Sequence, residues 1–238
     1  MTAQPFDVRV ICCRATPSAA YREVLHAAIT TDEQRRRGRF FKAVDADRFL
    51  VGRGTLRREV GRMLGIPPRE VAFELGEHDK PHVVGGTPHV NVSHSGDVVL
   101  IALTSGVPIG IDVEQINERF AHEAVHETFF SDREIEDLAK VPADLRVPAF
   151  FHTWTSREAI MKVLGLGLNL PRETFDVSVD PRLPPALLAA RTPLLTAGPH
   201  TLISIAVPSG HLAALAVAAD SHAFRVSVVS DPAYSDVT

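Results

Sequence analysis

The sequence predicts an α+β fold built from two similar helix-plus-sheet halves. A strand, a Ser95-Gly96 turn and an apolar strand (VSHSGDVVLIAL) recur 114 residues later as a strand, Ser209-Gly210 and an apolar strand (SIAVPSGHLAALAV). A long helical stretch precedes each copy. Charge changes sign between them, near residues 104–110: residues 1–108 carry 15 Lys and Arg against 12 Asp and Glu, and residues 109–238 carry 10 against 17.

The individual elements follow in order. Residues 6–13 (FDVRVICC) are rich in branched side chains and read as an opening strand before Pro17. Tyr21 to Ile29 forms a short helix that ends at Thr30-Thr31-Asp32, an N-cap signal for the next one. That second helical stretch runs through the basic region, clearest from Asp47 to Leu64, and Gly65-Ile66-Pro67-Pro68 stops it. A short strand is expected at Phe73–Glu77, then a hairpin of His89–Ser93 and Asp97–Leu103, then a strand from Ile109 to Ile116. Acidic helices follow through Leu138, and a helix from about Pro148 to Leu164 ends at Gly165. Strands near Phe175–Val179, Leu202–Val207 and His211–Ala218 complete the chain.

Composition narrows the function. The 238 residues are 45% hydrophobic and 23% charged, which excludes a disordered or fibrous chain. No apolar run approaches the roughly 20 residues that span a bilayer, and MTAQPFDVRVICC lacks the basic-then-apolar pattern of a signal peptide. Cys12 and Cys13 are adjacent, so they build neither a disulfide framework nor a good zinc site. A cytoplasmic protein is expected. The net charge of -4 argues against a nucleic-acid binder. It hides ten basic and three acidic side chains between Arg35 and Arg62, and nine acidic and two basic between Asp112 and Asp137. Such neighbours suit a small polyanion held with help from a metal.

Three segments could carry that chemistry. In Gly110-Ile111-Asp112-Val113-Glu114, strand alternation puts both carboxylates on one face. At a separation of about 7 Å they repel by roughly 2 kcal/mol, at an effective dielectric near 20, so water or a hard divalent cation must offset them. On the helix that carries WTSREAIMKVLGLGL, Phe150, Ile160, Met161, Val163 and Leu164 cover over half of the circumference, and Glu158 and Lys162 share the remaining stripe one turn apart. They read as a surface ion pair or as the lining of a cleft. In Asn91-Val92-Ser93-His94-Ser95, His94 stands just before a turn, as a structural or a functional histidine. The run Arg35-Arg36-Arg37-Gly38-Arg39 is either a solvated face or a fork for phosphate.

Together and in this order, these segments resemble the Sfp-type 4′-phosphopantetheinyl transferases. Asp79-Lys80-Pro81, NVSHSG, GIDVE, FFSDRE and W-T-S-R-E-A-x-x-K-x-x-G-x-G-L carry the resemblance, with weaker agreement in RFFKAVDADRFLVGR. It implies a pseudo-twofold arrangement with coenzyme A between the halves. Residues 1–108 would take the 3′-phosphate and adenosine side, and residues 109–238 would supply the carboxylates and the catalytic helix. The implied reaction moves the phosphopantetheine arm of coenzyme A to a serine of an acyl or peptidyl carrier protein, releasing 3′,5′-ADP. Asp112, Glu114 and Glu158 would hold Mg²⁺ (or Mn²⁺), and Glu158 would take the serine proton. Lys162 would assist the leaving phosphate and His94 would contact the phosphates. Ser93 and Lys80 would lie near the adenosine, while Arg36, Arg48 and Arg53 would reach the 3′-phosphate.

Glu33, Phe49 and Arg157 depart from side chains frequent in relatives. The expected partners are coenzyme A and apo carrier proteins of polyketide, nonribosomal peptide or siderophore synthases, with no nucleic acid and no membrane, and the expected state is a monomer. Phe129 and Phe130 are read as a carrier-docking surface or as core. Two other classes stay open: another Mg²⁺-dependent phosphoryl or nucleotidyl transferase, and an idle coenzyme A- or carrier-binding module.

Overall fold

The structure, a computed structural model, describes residues 4–76, 80–122, 125–167 and 170–230. The first half holds β1 (Phe6–Arg14), α1 (Ala19–Ala28), α2 (Thr31–Arg37), α3 (Ala43–Leu64), β2 (Phe73–Leu75), β3 (Pro81–Val83), β4 (His89–Ser95) and β5 (Val98–Thr104). The second begins with β6 (Ile109–Gln115), α4 (Glu118–His122), α5 (Val125–Phe129), α6 (Asp132–Lys140) and α7 (Arg146–Leu164). It continues through β7 (Phe175–Val177), β8 (Leu187–Ala190), α8 (Pro193–Thr196), β9 (Thr201–Ser204), β10 (His211–Val217) and β11 (Phe224–Ser230).

The repeat is real at the level of topology. In β1-β5-β4 and in β6-β10-β9 the last strand in sequence lies between the other two, antiparallel to both. A long helix, α3 or α7, follows the first strand of each unit and precedes the other two. The α+β two-half class is therefore the observed one.

Alternation along the strands sorts the core into layers. Val8, Val10, Cys12, Val98, Leu100 and Ala102 of the first sheet meet Ile109, Ile111, Val113, Ala213, Leu215 and Val217 of the second in one shared core. The opposite face of the first sheet, with Ile11, Cys13, Val99 and Ile101, is covered by Leu25 and Ile29 and by Leu50, Val51 and Leu56 of α3. Ala159, Ile160 and Val163 of α7 cover the opposite face of the second. β5 is buried along its whole length, because both of its faces are covered, and this accounts for its unbroken apolar sequence.

The structure departs from or sharpens the sequence reading at several points, and β3, β8 and α8 were not anticipated. β11 was not anticipated: it lies beyond the 108/109 division yet runs parallel beside β1, pairing Phe6 with Phe224 through Cys12 with Ser230. The basic helical stretch breaks into α2 and α3, since Gly38 caps α2 and helix resumes only at Ala43. Phe130 is fully buried against Phe150 and Phe151, so core packing claims it, while Phe129 is partly buried and packs edge-on against Trp154 at 5.4 Å.

Close approach places α7. A Cβ built on Gly110 would lie 2.1 Å from the Ala159 carbonyl oxygen and 2.6 Å from the Val163 nitrogen, both backbone atoms that cannot step aside. The glycine of GIDVE is thus a contact point between β6 and α7. Gly110→Ala is expected to lower unfolding free energy by about 3 kcal/mol in urea titrations, the upper range for overpacking; an unchanged midpoint would show that the helix can retreat.

Candidate active site at the seam between the halves

The two sheets meet where β4 runs beside β6, and side chains there replace the usual ladder. The amide of Ile111 donates to Oδ1 of Asn91 (2.7 Å), that of Val113 to Oγ of Ser93 (3.3 Å) and that of Gln115 to Oγ of Ser95 (3.0 Å). The spacing of two puts Asn91, Ser93 and Ser95 on one face of β4 and matches every second amide of β6.

Each serine also donates across the seam. Ser93 Oγ donates to Asp112 Oδ1 (2.8 Å), and Ser95 Oγ to Glu114 Oε2 (2.6 Å). Asp112 and Glu114 therefore share a face, as the strand period requires, while Ile111 and Val113 fill the core. Lys162 reaches the same point from α7: its Nζ donates to Asp112 Oδ1 (2.6 Å), Ser93 Oγ (3.1 Å) and the Ile111 carbonyl (3.2 Å). Its ion pair is with Asp112, rather than with Glu158 one turn away. Lys80 comes from the first half and donates to the carbonyls of Ile109 and Lys162.

The enclosure shifts the titrating groups. Burial pushes Glu158 up to about 7; Lys162 opposes the rise, and the Asp112 and Glu114 charges add to it. Glu114 is also raised, by burial first and Asp112 second, against hydrogen bonds from Ser95 and Trp154. Lys80 falls to about 8 through burial and the neighbouring Lys162. The walls around His94 first, and the Arg48 charge second, lower its pKa.

Above the seam lies a cavity of about 680 Å³ whose walls include Arg36, Arg48, Arg53, Lys80, His94, Glu158 and Lys162. Seven of the sequence-selected residues thus converge on one space, with Asp112 and Glu114 joined to it through Lys162, Ser93 and Ser95. Ser93 is not among the residues that line the cavity. It is buried in the seam, with its proton given to Asp112 and both lone pairs taken by Val113 and Lys162. Arg48 is tied to the Gly96 carbonyl (2.9 and 2.5 Å) and to Asp45 (2.9 Å). The departures also acquire reasons. Glu33 pairs with Arg53 (3.4 Å) and Arg57 (2.6 Å), and Phe49 lies under Arg36 and beside Phe40. Sequence reasoning assigned no role to Asn91, Phe40 or Phe49; the N-x-S-x-S alternation was the available signal for the first. Asp79 and Leu168, which belong to the motifs, lie outside the described residues.

The donor set suits a small hard cation. Asp112 is 3% exposed and its Oδ2 has no hydrogen-bond partner, an arrangement that leaves a buried oxygen for a ligand. Among the described residues no group of three acidic, histidine or cysteine side chains is already assembled around an ion position. Lys162 on Asp112 supplies the positive charge instead.

The helix that carries Glu158 and Lys162 is fixed by the residue before Glu158. Arg157 Nη1 donates to both oxygens of Glu134 (2.9 and 2.7 Å) and to the Phe175 carbonyl, and its Nη2 donates to the Arg172 carbonyl. Glu134 further accepts the amides of Val177 and Ser131 and forms the capping box of α6, so the FFSDRE and WTSRE segments meet in one buried ion pair.

Comparison with known proteins agrees with this geometry. Residues 108–216 match the 4′-phosphopantetheinyl transferase superfamily and residues 15–106 match the family described as 4′-phosphopantetheinyl transferase, N-terminal. The chain is 31% identical over 198 residues to the 4′-phosphopantetheinyl transferase HetI of Nostoc sp., covering 82% of this chain and 80% of that one. It is 32% identical over 161 residues to a 4′-phosphopantetheinyl transferase of Bacillus subtilis (67% and 70% covered), and 33% identical over 150 residues to Sfp of Bacillus subtilis strain 168 (63% and 66%). The chain belongs to the Sfp-type 4′-phosphopantetheinyl transferases, a transferase class that acts on carrier proteins.

Arg157→Met strands the Glu134 carboxylate in the core. It is expected to cost about 3–5 kcal/mol in chemical denaturation, the range for a buried charge that loses its partner. Arg157→Lys restores the charge but cannot span four acceptors, so it should fall between the two.

Proposed function

We propose that this enzyme transfers the 4′-phosphopantetheine arm of coenzyme A to a serine of an apo acyl or peptidyl carrier protein and releases 3′,5′-ADP. The observation that carries this reading is the convergence of Glu158, Lys162 and the seam-held carboxylates beneath one cavity walled by Arg36, Arg48, Arg53, Lys80 and His94. Asp112, Glu114 and Glu158 would hold Mg²⁺, or Mn²⁺ in its place. Bound there, such an ion would supply neutralisation of pyrophosphate charge and Lewis acidity at the β-phosphorus.

The chain's own groups do the rest. Glu158, poised near neutrality, takes the proton of the carrier serine, directly or through a water, as its oxygen bonds to phosphorus. The bond to the departing phosphate oxygen breaks, and Lys162 stabilises the charge left there. His94 and the arginines orient the donor phosphates, and the Phe40–Phe49 wall offers a flat apolar surface beside Arg36. Ser93 acts by positioning Asp112. In this reading residues 1–108 form the nucleotide side, and residues 109–238 the metal and proton-transfer side. Among the described residues no helix is long and apolar enough to cross a membrane. A cytoplasmic monomer serving polyketide, nonribosomal peptide or siderophore synthases completes the proposal.

Incubation with apo carrier protein, coenzyme A and Mg²⁺ should raise the carrier's intact mass by one phosphopantetheine arm, and EDTA should prevent it. Glu158→Gln and Asp112→Ala are each expected to reduce transfer by at least about 100-fold with unchanged circular dichroism. Turnover of ATP with coenzyme A ignored would favour another phosphoryl or nucleotidyl transferase. Coenzyme A binding without transfer to several unrelated carriers would favour an idle binding module.

A further inference from the structure

Lys162 has three N–H groups, and all three are engaged at the seam: with Asp112 Oδ1 (2.6 Å), Ser93 Oγ (3.1 Å) and the Ile111 carbonyl (3.2 Å). An ammonium has no further donor. In this arrangement Lys162 cannot also hydrogen-bond a phosphate in the cavity. To do so it must withdraw from Asp112, a carboxylate 3% exposed whose second oxygen already lacks a partner. Withdrawal alone would leave a buried, uncompensated negative charge, which is strongly unfavourable.

We infer that Lys162 serves as the counter-ion of Asp112 while the site is free of metal, and that it exchanges places with the divalent cation, turning toward the cavity only when the cation has taken over Asp112. The inference rests on the metal assignment proposed above and adds an order of events to it. An ammonium on Oδ1 and an ion on the open Oδ2 of one buried carboxylate repel each other, so the two oppose one another at Asp112. Ser93 loses one of its two accepted hydrogen bonds in the exchange but keeps its bond to Asp112 and that from the Val113 amide, so the seam survives it. The same lysine then has two successive partners, and the donor phosphate gains its ammonium only in a metal-loaded site.

The test needs no catalysis. The ¹⁵Nζ resonance of Lys162, assigned by its loss in Lys162→Arg, is followed as Mg²⁺ alone is added to the full-length protein without coenzyme A, with binding measured in parallel by calorimetry. The hydrogen-bonded signal of the metal-free protein is expected to lose its protection from solvent exchange in step with Mg²⁺ occupancy. Lys162→Met should bind Mg²⁺ at least about tenfold more tightly than wild type, since its competitor is gone. Mg²⁺ binding with an unmoved Lys162 signal, or equal or weaker binding by Lys162→Met, would overturn the exchange while leaving the metal site standing. Absence of Mg²⁺ binding in both proteins would overturn the exchange and the metal assignment together. Should Lys162→Met fail to fold, the wild-type titration decides alone.

Discussion

The structure depends on how β6 satisfies its inward amides. A strand at a sheet edge normally meets another backbone; here the amides of Ile111, Val113 and Gln115 meet the side chains of Asn91, Ser93 and Ser95. Leaving the Ile111 or Val113 amide unpaired in the buried part of this seam would cost about 1–3 kcal/mol. A side-chain oxygen stands farther from its own strand than a carbonyl does, so a seam built this way keeps the two backbones apart while still joining them. The Asp112 carboxylate and the Lys162 ammonium are bonded to this seam. Joining the halves and building the site are one act, performed by the same hydroxyl groups, and this is why Ser93 and Ser95 each accept an amide and donate to a carboxylate.

The second constraint is the placement of α7. Apolar residues surround this helix on nearly every side, and its buried set includes Ala149, Phe150, Phe151, Ala159 and Ile160. A helix so enclosed could settle in more than one rotation, because apolar contacts have little directional preference. Polar contacts remove that freedom. The Glu134–Arg157 pair fixes one side of the helix, and the missing side chain at Gly110 admits the backbone near Ala159 on another. Glu158 and Lys162 are left half-buried facing the cavity and the seam. A buried ion pair adds little net stability compared with apolar packing; its effect here is orientation, one residue away from Glu158.

Much of this was legible in the sequence. The hairpin of β4 and β5, the strand of GIDVE and the glycine end of α7 follow from local signals: alternation, a Ser-Gly turn, and a Gly that adopts φ 74° at position 165. The gathering of carboxylates and lysine came through motif order, since residues 69 positions apart, such as Ser93 and Lys162, leave no periodic trace of their contact. β11 escaped for the same reason: its parallel pairing with β1 links opposite ends of the chain, and FRVSVVS is half exposed and carries no turn partner nearby. The arginines were only partly legible. Composition shows a basic run, but only the fold shows that Arg57 is sealed against Glu33 and backbone carbonyls while Arg36 and Arg48 border the cavity.

The charge asymmetry read from the sequence takes a more specific meaning at the site. A polyanion entering this cavity faces Arg36, Arg48, Arg53 and Lys80, all from the first half. The floor, from the second half, is acidic and would repel the same ligand if its charge were open. It is not open. Lys162 covers Asp112, Ser95 and Trp154 hold Glu114 by hydrogen bonds, and burial raises the Glu158 pKa to about 7. The negative charge of the three carboxylates is therefore masked, each by a different means. Under the proposed exchange, a cation would have to replace an ammonium, a condition that a hard divalent ion meets better than a monovalent one, which at the same distance brings half the charge. In the proposed metal site, preference for a divalent ion would follow from the lysine as much as from the carboxylates.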